Sequence, residues 1–420
     1  MQAAWLPDRL SAEAALLRTA GAAEPCSDRL HLAEETVARM RPRFDGLGIA
    51  RLAQVTGLDR IGIPVWMAIR PNSRTLAVSQ GKGLSDGAAR ASAVMEAAEL
   101  AIAERPALPI KHSSLDDLRA EGIAADPMHN LIGRGASVPT ASEKMDWVQG
   151  FDLLKQRSVL VPADVVALDR THDPCGRPCR YWRSSDGLAS GNLLLEAVFH
   201  GLCERIERDA LVLWQFFSEE QVFERCIDPA DLDDPHVLEL ADRIASAGLQ
   251  LRLFDITSDV GVPVFFATIA PPPDGRERYW KHLELSSGSG CHPSPARAAV
   301  RAVTEAAQSR VTTITGARDD YEPSLYAATL TSDLVTYLHA EPRPRPPAIS
   351  SASDHHSTDN LSFLLSRLAS AKVDSAIVVP LHADDGFAVA KVLVPGLEHP
   401  PGDRRQRFGK RALRAMMSLQ

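Results

Sequence analysis

Apolar residues change period several times along the chain. From Leu10 to Leu17, and again from Leu30 to Met40, they recur at helical spacing, so residues 1–50 read as helical. Past Thr56-Gly57 the period shortens. Val65, Met67 and Ile69 fall on one face, as do Leu76 and Val78, and Pro71-Asn72-Ser73 makes a turn between them, which predicts a hairpin. Three later regions then share one layout, in which an extended stretch leads into a Gly/Ser-rich loop that opens a helix. The first has Gly81-Lys82-Gly83 before a helix over 86–104. The second has Ser184 to Gly191 before a helix over 192–214. The third has Ser286-Ser287-Gly288-Ser289-Gly290, with Pro293 and Pro295, before a helix ending near residue 313.

The remaining pattern is simpler. Residues 237–247 form an amphipathic helix stopped by Gly248, and strands follow over 249–256 and 262–269. A Pro/Arg-rich segment, 341–350, reads as a linker. After it come a helix over 361–368 and a hairpin, 376–381 with 387–394, turning at Asp384-Asp385-Gly386. Neighbouring strands joined by short turns favour antiparallel pairing, so the class is α+β. The expected organisation is an N-terminal helical segment (1–60), a core (61–340), the linker (341–350) and a C-terminal helix and hairpin that complete the core domain (351–420).

Composition narrows the function. Of 420 residues, 45% are hydrophobic and 24% charged, a globular balance. Lys+Arg total 46 against 54 Asp+Glu, a net charge of -8, which speaks against a general nucleic-acid or anionic-membrane binder. No apolar run is long enough to span a bilayer, and Asp8, Arg9, Glu13 and Arg18 interrupt the N-terminal stretch, so a cytoplasmic protein is expected. Six cysteines are sparse for this length and indicate no disulfide framework. Cys175 and Cys179 flank a Gly-Arg-Pro turn but lack a second pair at zinc-site spacing.

The chemistry lies in the acids of two motif helices. Ser92, Glu96 and Glu99 share one face of the first, and Glu204, Glu207 and Arg208 share one face of the second, with Asn192 and Glu196 nearer its start. Their neighbours are apolar, so these acids are expected to be buried, and buried acids that converge need a counter-charge. A hard divalent cation supplies it. Mg2+ prefers carboxylate oxygens and commonly shares its shell with phosphates, which brings in a nucleotide. Glu305, Gln308 and Arg310 follow Arg297 and Arg301 on the third helix, where Arg310 is placed to clamp a phosphate. Taken singly, such pairs are as often a solvated face or a salt bridge. His292 can serve a phosphate or a turn, and the Arg404–Arg411 basic cluster a solvated face or an acidic partner.

These motifs resemble those of the YcaO-domain family over roughly residues 29–411. Gly81-Lys82-Gly83 through Ser92-x-x-x-Glu96-x-x-Glu99 is similar to the family's first ATP/Mg motif. Asn192-x-x-x-Glu196 with Glu204-x-x-Glu207-Arg208 is similar to the second, and Glu305-x-x-Gln308-x-Arg310 to the third. Val394-Pro395-Gly396-Leu397-Glu398 resembles a signature of the subgroup that works with a TfuA-type partner. The resemblance implies helices packed on antiparallel sheets with a nucleotide site between them. It implies ATP-dependent phosphorylation of a backbone amide oxygen in a peptide or protein substrate. A neighbouring thiol or hydroxyl then gives an azoline, and an external sulfide gives a thioamide. By the same resemblance Glu96, Glu99, Glu204 and Glu207 hold Mg2+. Ser92, Asn192, Glu196, Arg208 and Arg310 contact the nucleotide, with Arg29 and Thr36 matching an early nucleotide-contacting segment. Two departures stand out. Asp186-Gly187 replaces the family's common Asn-Gly, and the chain ends Met416-Met417-Ser418-Leu419-Gln420 where azoline-forming members end in alternating prolines. The expectation is therefore thioamide formation with a TfuA-like partner. The alternatives are an azoline-forming cyclodehydratase and a non-catalytic nucleotide-binding accessory protein. A homodimer is left open, and no residue is assigned as general base.

Overall fold

The computed structural model describes residues 5–20, 28–169, 171, 179–343 and 357–417. Cys26, Cys175, most of the 341–350 segment and residues 418–420 lie outside the described residues. Among the described residues no helix is long and apolar enough to cross a membrane.

Three sheets form the frame, and every strand pair in them is antiparallel. The first holds Arg51–Gln54, Val65–Ile69 and Val78–Lys82 in chain order. The second runs Ser286–Cys291, Val264–Ala270, Gln250–Asp255, Cys226–Ile227. The third has six strands. Its path is Lys111–Ser114, Lys144–Asp152, Ile377–Ala383, Ala388–Leu393, Leu188–Gly191, with Arg157–Pro162 paired to Lys144–Asp152. The class is α+β as expected. The apolar pattern assigns nothing between residues 105 and 183, yet three strands of the largest sheet come from there. The C-terminal hairpin lies in the middle of that sheet, between Lys144–Asp152 and Leu188–Gly191, so the end of the chain is woven into the fold.

The Gly/Ser-rich runs correct the reading as loops. Gly81-Lys82, Leu188–Gly191 and Ser286–Cys291 are strand, and each lies at an edge of its sheet, directly before a motif helix. The helices are Asp86–Glu104, Leu194–Trp214 and Pro295–Thr315. Glycine here serves contact rather than turning. A Cβ at Gly81 would collide with the backbone of Ala89 and Ala93, and one at Gly288 with Ala302 and Ala306. The facing helix positions are fully buried alanines, so strand and helix backbones approach each other closely.

The second motif helix starts two residues later than expected, at Leu194. No side chain at its N-cap closes it. Glu13, on the N-terminal helix Leu6–Ala20, accepts from Leu195 N at 2.7 Å and does the work of a cap from outside. That helix and Ser357–Ser370 bury the apolar face of the second motif helix in one core, while the first motif helix closes a second core over the six-stranded sheet. The acid-bearing faces are left turned toward the middle.

Candidate active site

The motif helices are tied together through their acids, and the ties run in a ring. Ser190, on strand Leu188–Gly191, donates to Glu99 Oε1 of the first motif helix at 2.7 Å. Ser289, on strand Ser286–Cys291, donates to Glu207 Oε1 of the second at 2.7 Å. Lys82, ending strand Val78–Lys82, reaches Glu305 Oε2 of the third at 2.6 Å. Each helix thus rests on the strand of the next motif, and the three surround one cavity of about 1000 Å³. That volume suits a nucleotide with part of a second substrate.

Glu96, Glu99, Glu204 and Glu207 all line the cavity. Their surroundings partly desolvate them. Burial pushes Glu96 up to about 7 against the pull of Lys82 and Arg318. Burial pushes Glu99 up to about 8 despite its Ser190 hydrogen bond, and the charges of Glu96 and Glu204 push the same way. Glu204 is also raised by burial, with Arg208 opposing. Arg208 lies 3.4 Å from Glu204 Oε1 and 3.8 Å from Glu207 Oε1. Burial disfavours its charge, yet Glu207, Glu204 and Glu305 hold it above the usual guanidinium range. Arg208 does not neutralise four acids. The donor set and its excess negative charge fit a hard divalent cation.

The other predicted contacts lie along the same cavity, with one exception. Thr36 donates to Asn192 Oδ1 at 3.0 Å. Glu196 accepts from Arg29 Nη1 at 3.1 Å, Leu30 N at 2.8 Å and Asn192 N at 2.9 Å, which pins the 28–31 segment across the start of the second motif helix. Ser92 lines the cavity one turn before Glu96. The exception is Arg310: its Nε is 3.2 Å from Asp59 Oδ1, and it is not among the residues that line the cavity. At that point of the helix its side chain meets the turn after the first strand. Arg297 and Arg301 line the cavity instead, two turns or more nearer the helix start. Arg301 also donates to His200 Nδ1 at 3.1 Å. Burial and that guanidinium hold His200 well below its usual value, so it is neutral. His292 accepts from Ser294 N at 2.9 Å, which leaves its other nitrogen to donate to Asp28 Oδ2 at 2.8 Å. Its role is to orient this corner.

Asp186 shows what the unusual Asp-Gly loop does. Its carboxylate lies 3.6 Å from Arg205, 3.9 Å from Arg208 and 3.6 Å from His399. Burial alone would raise it, but His399, Arg205 and Arg208 hold it well below the usual carboxylate range. Gly187 N donates to Glu204 Oε2 at 3.1 Å, so the loop buttresses both an acid and the guanidinium of the second motif.

A protein-family model described as YcaO cyclodehydratase, ATP- and Mg2+-binding, matches residues 80–398. The chain belongs to the YcaO family. A protein of Rhizobium leguminosarum bv. trifolii, described as an uncharacterized protein in the tfuA 3′ region, is 39% identical over 409 residues, 95% of each chain. That relative agrees with the TfuA-associated resemblance of Val394 to Glu398. An uncharacterized protein of Methanothermobacter thermautotrophicus is 33% identical over 373 residues, 87% of this chain and 93% of its own. Among solved structures, the YcaO protein from Methanopyrus kandleri bound with AMPPCP and Mg2+ is 24% identical with a TM-score of 0.63, over 88% of this chain and 92% of that one. A heterocyclase in complex with substrate and cofactor reaches a TM-score of 0.69 at 22% identity, over 88% of this chain and 53% of that one. At these identities the two structures share the YcaO fold with this chain.

Sequence reasoning missed Ser190, Ser289 and the pairing of Lys82 as the ties between motifs. A signal for them exists. Lys82-Gly83, Ser190-Gly191 and Ser289-Gly290 each place a polar residue before a glycine that abuts its helix.

Proposed function

We propose that this YcaO protein uses ATP and Mg2+ to activate a backbone amide of a peptide or protein substrate, for thioamide formation with a TfuA-like partner. The observation that carries the reading is the convergence of Glu96, Glu99, Glu204 and Glu207 on one cavity with Arg208 beside the second pair. Among the described residues no three acidic, imidazole or thiol groups stand close enough to enclose an ion by themselves. An ion bound here would therefore take further ligands, such as phosphate oxygens, beyond these carboxylates.

Bound ATP would supply a phosphoryl group that turns the amide oxygen into a leaving group. The chain's part is positioning and charge. Glu96, Glu99, Glu204 and Glu207, which all line the cavity, would hold the cation. Lys82, Arg297 and Arg301 line the cavity with positive charge suited to phosphate oxygens.

Substituting Glu204→Gln or Glu207→Gln is expected to lower substrate-dependent phosphate release about a hundredfold or more with the fold intact. Full turnover in both variants would remove the metal assignment. Product mass distinguishes the chemistry: exchange of oxygen for sulfur makes the substrate heavier, whereas ring closure to an azoline makes it lighter by one water. ATP binding with no phosphate release in the presence of substrate and partner would instead point to an accessory protein.

A further inference from the structure

The C-terminal segment carries a surface that the ATP site does not use. Between Asp403 and Arg414 the chain has six basic residues and one acid, on a protein whose net charge is -8. Arg405, Lys410 and Arg414 are exposed. On helix Lys410–Met417, Lys410 and Arg414 flank an apolar stripe of Leu413, Met416 and Met417, exposed by 47%, 41% and 67% and spaced i, i+3, i+4. Three long apolar side chains side by side on a short helix, rimmed by cations, have the composition of a docking surface.

This helix is built to hold its position. Glu398 accepts from Gly409 N at 2.6 Å, Arg411 N at 3.0 Å and Ala412 N at 3.0 Å, which closes the helix start. Arg411 grips Asp209 in a bidentate pair at 2.8 and 2.9 Å. Asp209 is fully buried on the second motif helix, immediately after Arg208. Whatever docks on the 410–417 helix is therefore braced against the element that carries Glu204, Glu207 and Arg208. Glu398 also ends the Val394-to-Glu398 segment whose resemblance points to a TfuA-type partner.

We infer that the basic–apolar face of helix Lys410–Met417, with Arg405, is the docking surface for the TfuA-like partner, which must present an acidic rim around an apolar groove. The inference rests on the partner reading above. A second copy of this chain fits less well: a two-fold dimer through this face would set cations against cations.

The test uses the full chain and a purified TfuA-like protein from the same organism, with affinity measured at low and high salt. Wild-type binding is expected to weaken with salt. The triple charge reversal R405E/K410E/R414E and the double change M416S/M417S should each weaken binding about tenfold or more, while ATP affinity in the absence of the partner stays as in wild type. Wild-type affinity in both variants would overturn this surface and leave the partner reading standing. Failure of the wild-type chain to bind at all would overturn both. Binding to phosphatidylserine vesicles that the same changes abolish, with no binding to the TfuA-like protein, would overturn the inference in favour of a membrane surface.

Discussion

Lys82 stands to Glu305 as Ser190 stands to Glu99 and Ser289 to Glu207: the last polar residue of a motif strand bonded to the acid of a neighbouring motif helix. The ring is not symmetric in charge. Two of its acids, Glu99 and Glu207, receive a neutral hydroxyl, whereas Lys82 pairs with the third at 2.6 Å. Burial would raise Glu305, but Lys82 and Arg208 hold it below its ordinary value. The ring's lysine counter-charge thus stands on the third motif alone. Lys82→Met should leave Glu305 half-buried and unpaired and lower stability by about 1–3 kcal/mol, between the values of exposed and buried pairs. The double variant K82M/E305Q should recover part of the loss. Urea unfolding of the two single variants and the double checks this, and strictly additive losses would show that the pair is uncoupled.

The acids of the first motif make stability depend on pH in a defined direction. In the metal-free protein Glu96 and Glu99 have pKa values of about 7 and about 8, against about 4.3 in an unfolded chain. Folding therefore favours their protonated forms. The stability this confers is complete below about pH 4 and is lost as the pH rises through the folded values, toward pH 8. With a chelator present, the melting temperature of the wild type should fall between pH 5.5 and pH 8.5. Glu99→Gln should flatten that fall, and Mg2+ should flatten it in the wild type by compensating the charge. A melting temperature that rises over this range in chelator would contradict the assignment.

The motif helices were legible in the sequence because their apolar period is long and their acids recur at i, i+3. Ser92, Glu96 and Glu99 need only the geometry of one helix to be placed on one face. The strands before them were not legible, because Gly81, Gly288 and Gly290 carry no alternation of apolar and polar side chains. Their composition reports contact with alanines on a helix, which period analysis does not see. The place of Arg310 away from the cavity was hidden for a related reason. Its spacing on the helix is known from sequence, but Asp59, which takes its guanidinium, lies 251 residues away. The same holds for Glu13, which caps the second motif helix across 182 residues.

The close strand–helix packing makes these glycines hard to replace. Gly81→Ala would drive a Cβ into the backbone of Ala89 and Ala93, and Gly288→Ala into that of Ala302 and Ala306. No flexible side chain can yield there, so the helix must move. Each change is expected to cost about 1–3 kcal/mol or more and to weaken ATP binding, because the acids ride on the displaced helix. Gly57→Ala, which meets nothing within 4 Å, serves as the control and should leave both quantities unchanged. Melting curves with and without nucleotide separate the two effects.

Asp209 and Arg411 offer the sharpest test of how the end of the chain supports the site. Asp209 is fully shielded from solvent, and Arg411 is the cation that reaches it with two nitrogens, while also pairing with the exposed Asp259. Burial pushes Asp209 above its ordinary value even with that guanidinium in place. Removing the partner is therefore worse than removing both. Arg411→Met should destabilise the protein by about 3–5 kcal/mol, the cost of an uncompensated buried charge. In R411M/D209N much of that should return, because an amide can be buried without a counter-ion and can still accept from Glu398 N, now 2.9 Å from Asp209 Oδ1. If R411M unfolds at the same urea concentration as wild type, the C-terminal helix is not braced through this pair. The link between that helix and the second motif would then have to run through Arg205, which donates to Glu398 O at 2.6 Å.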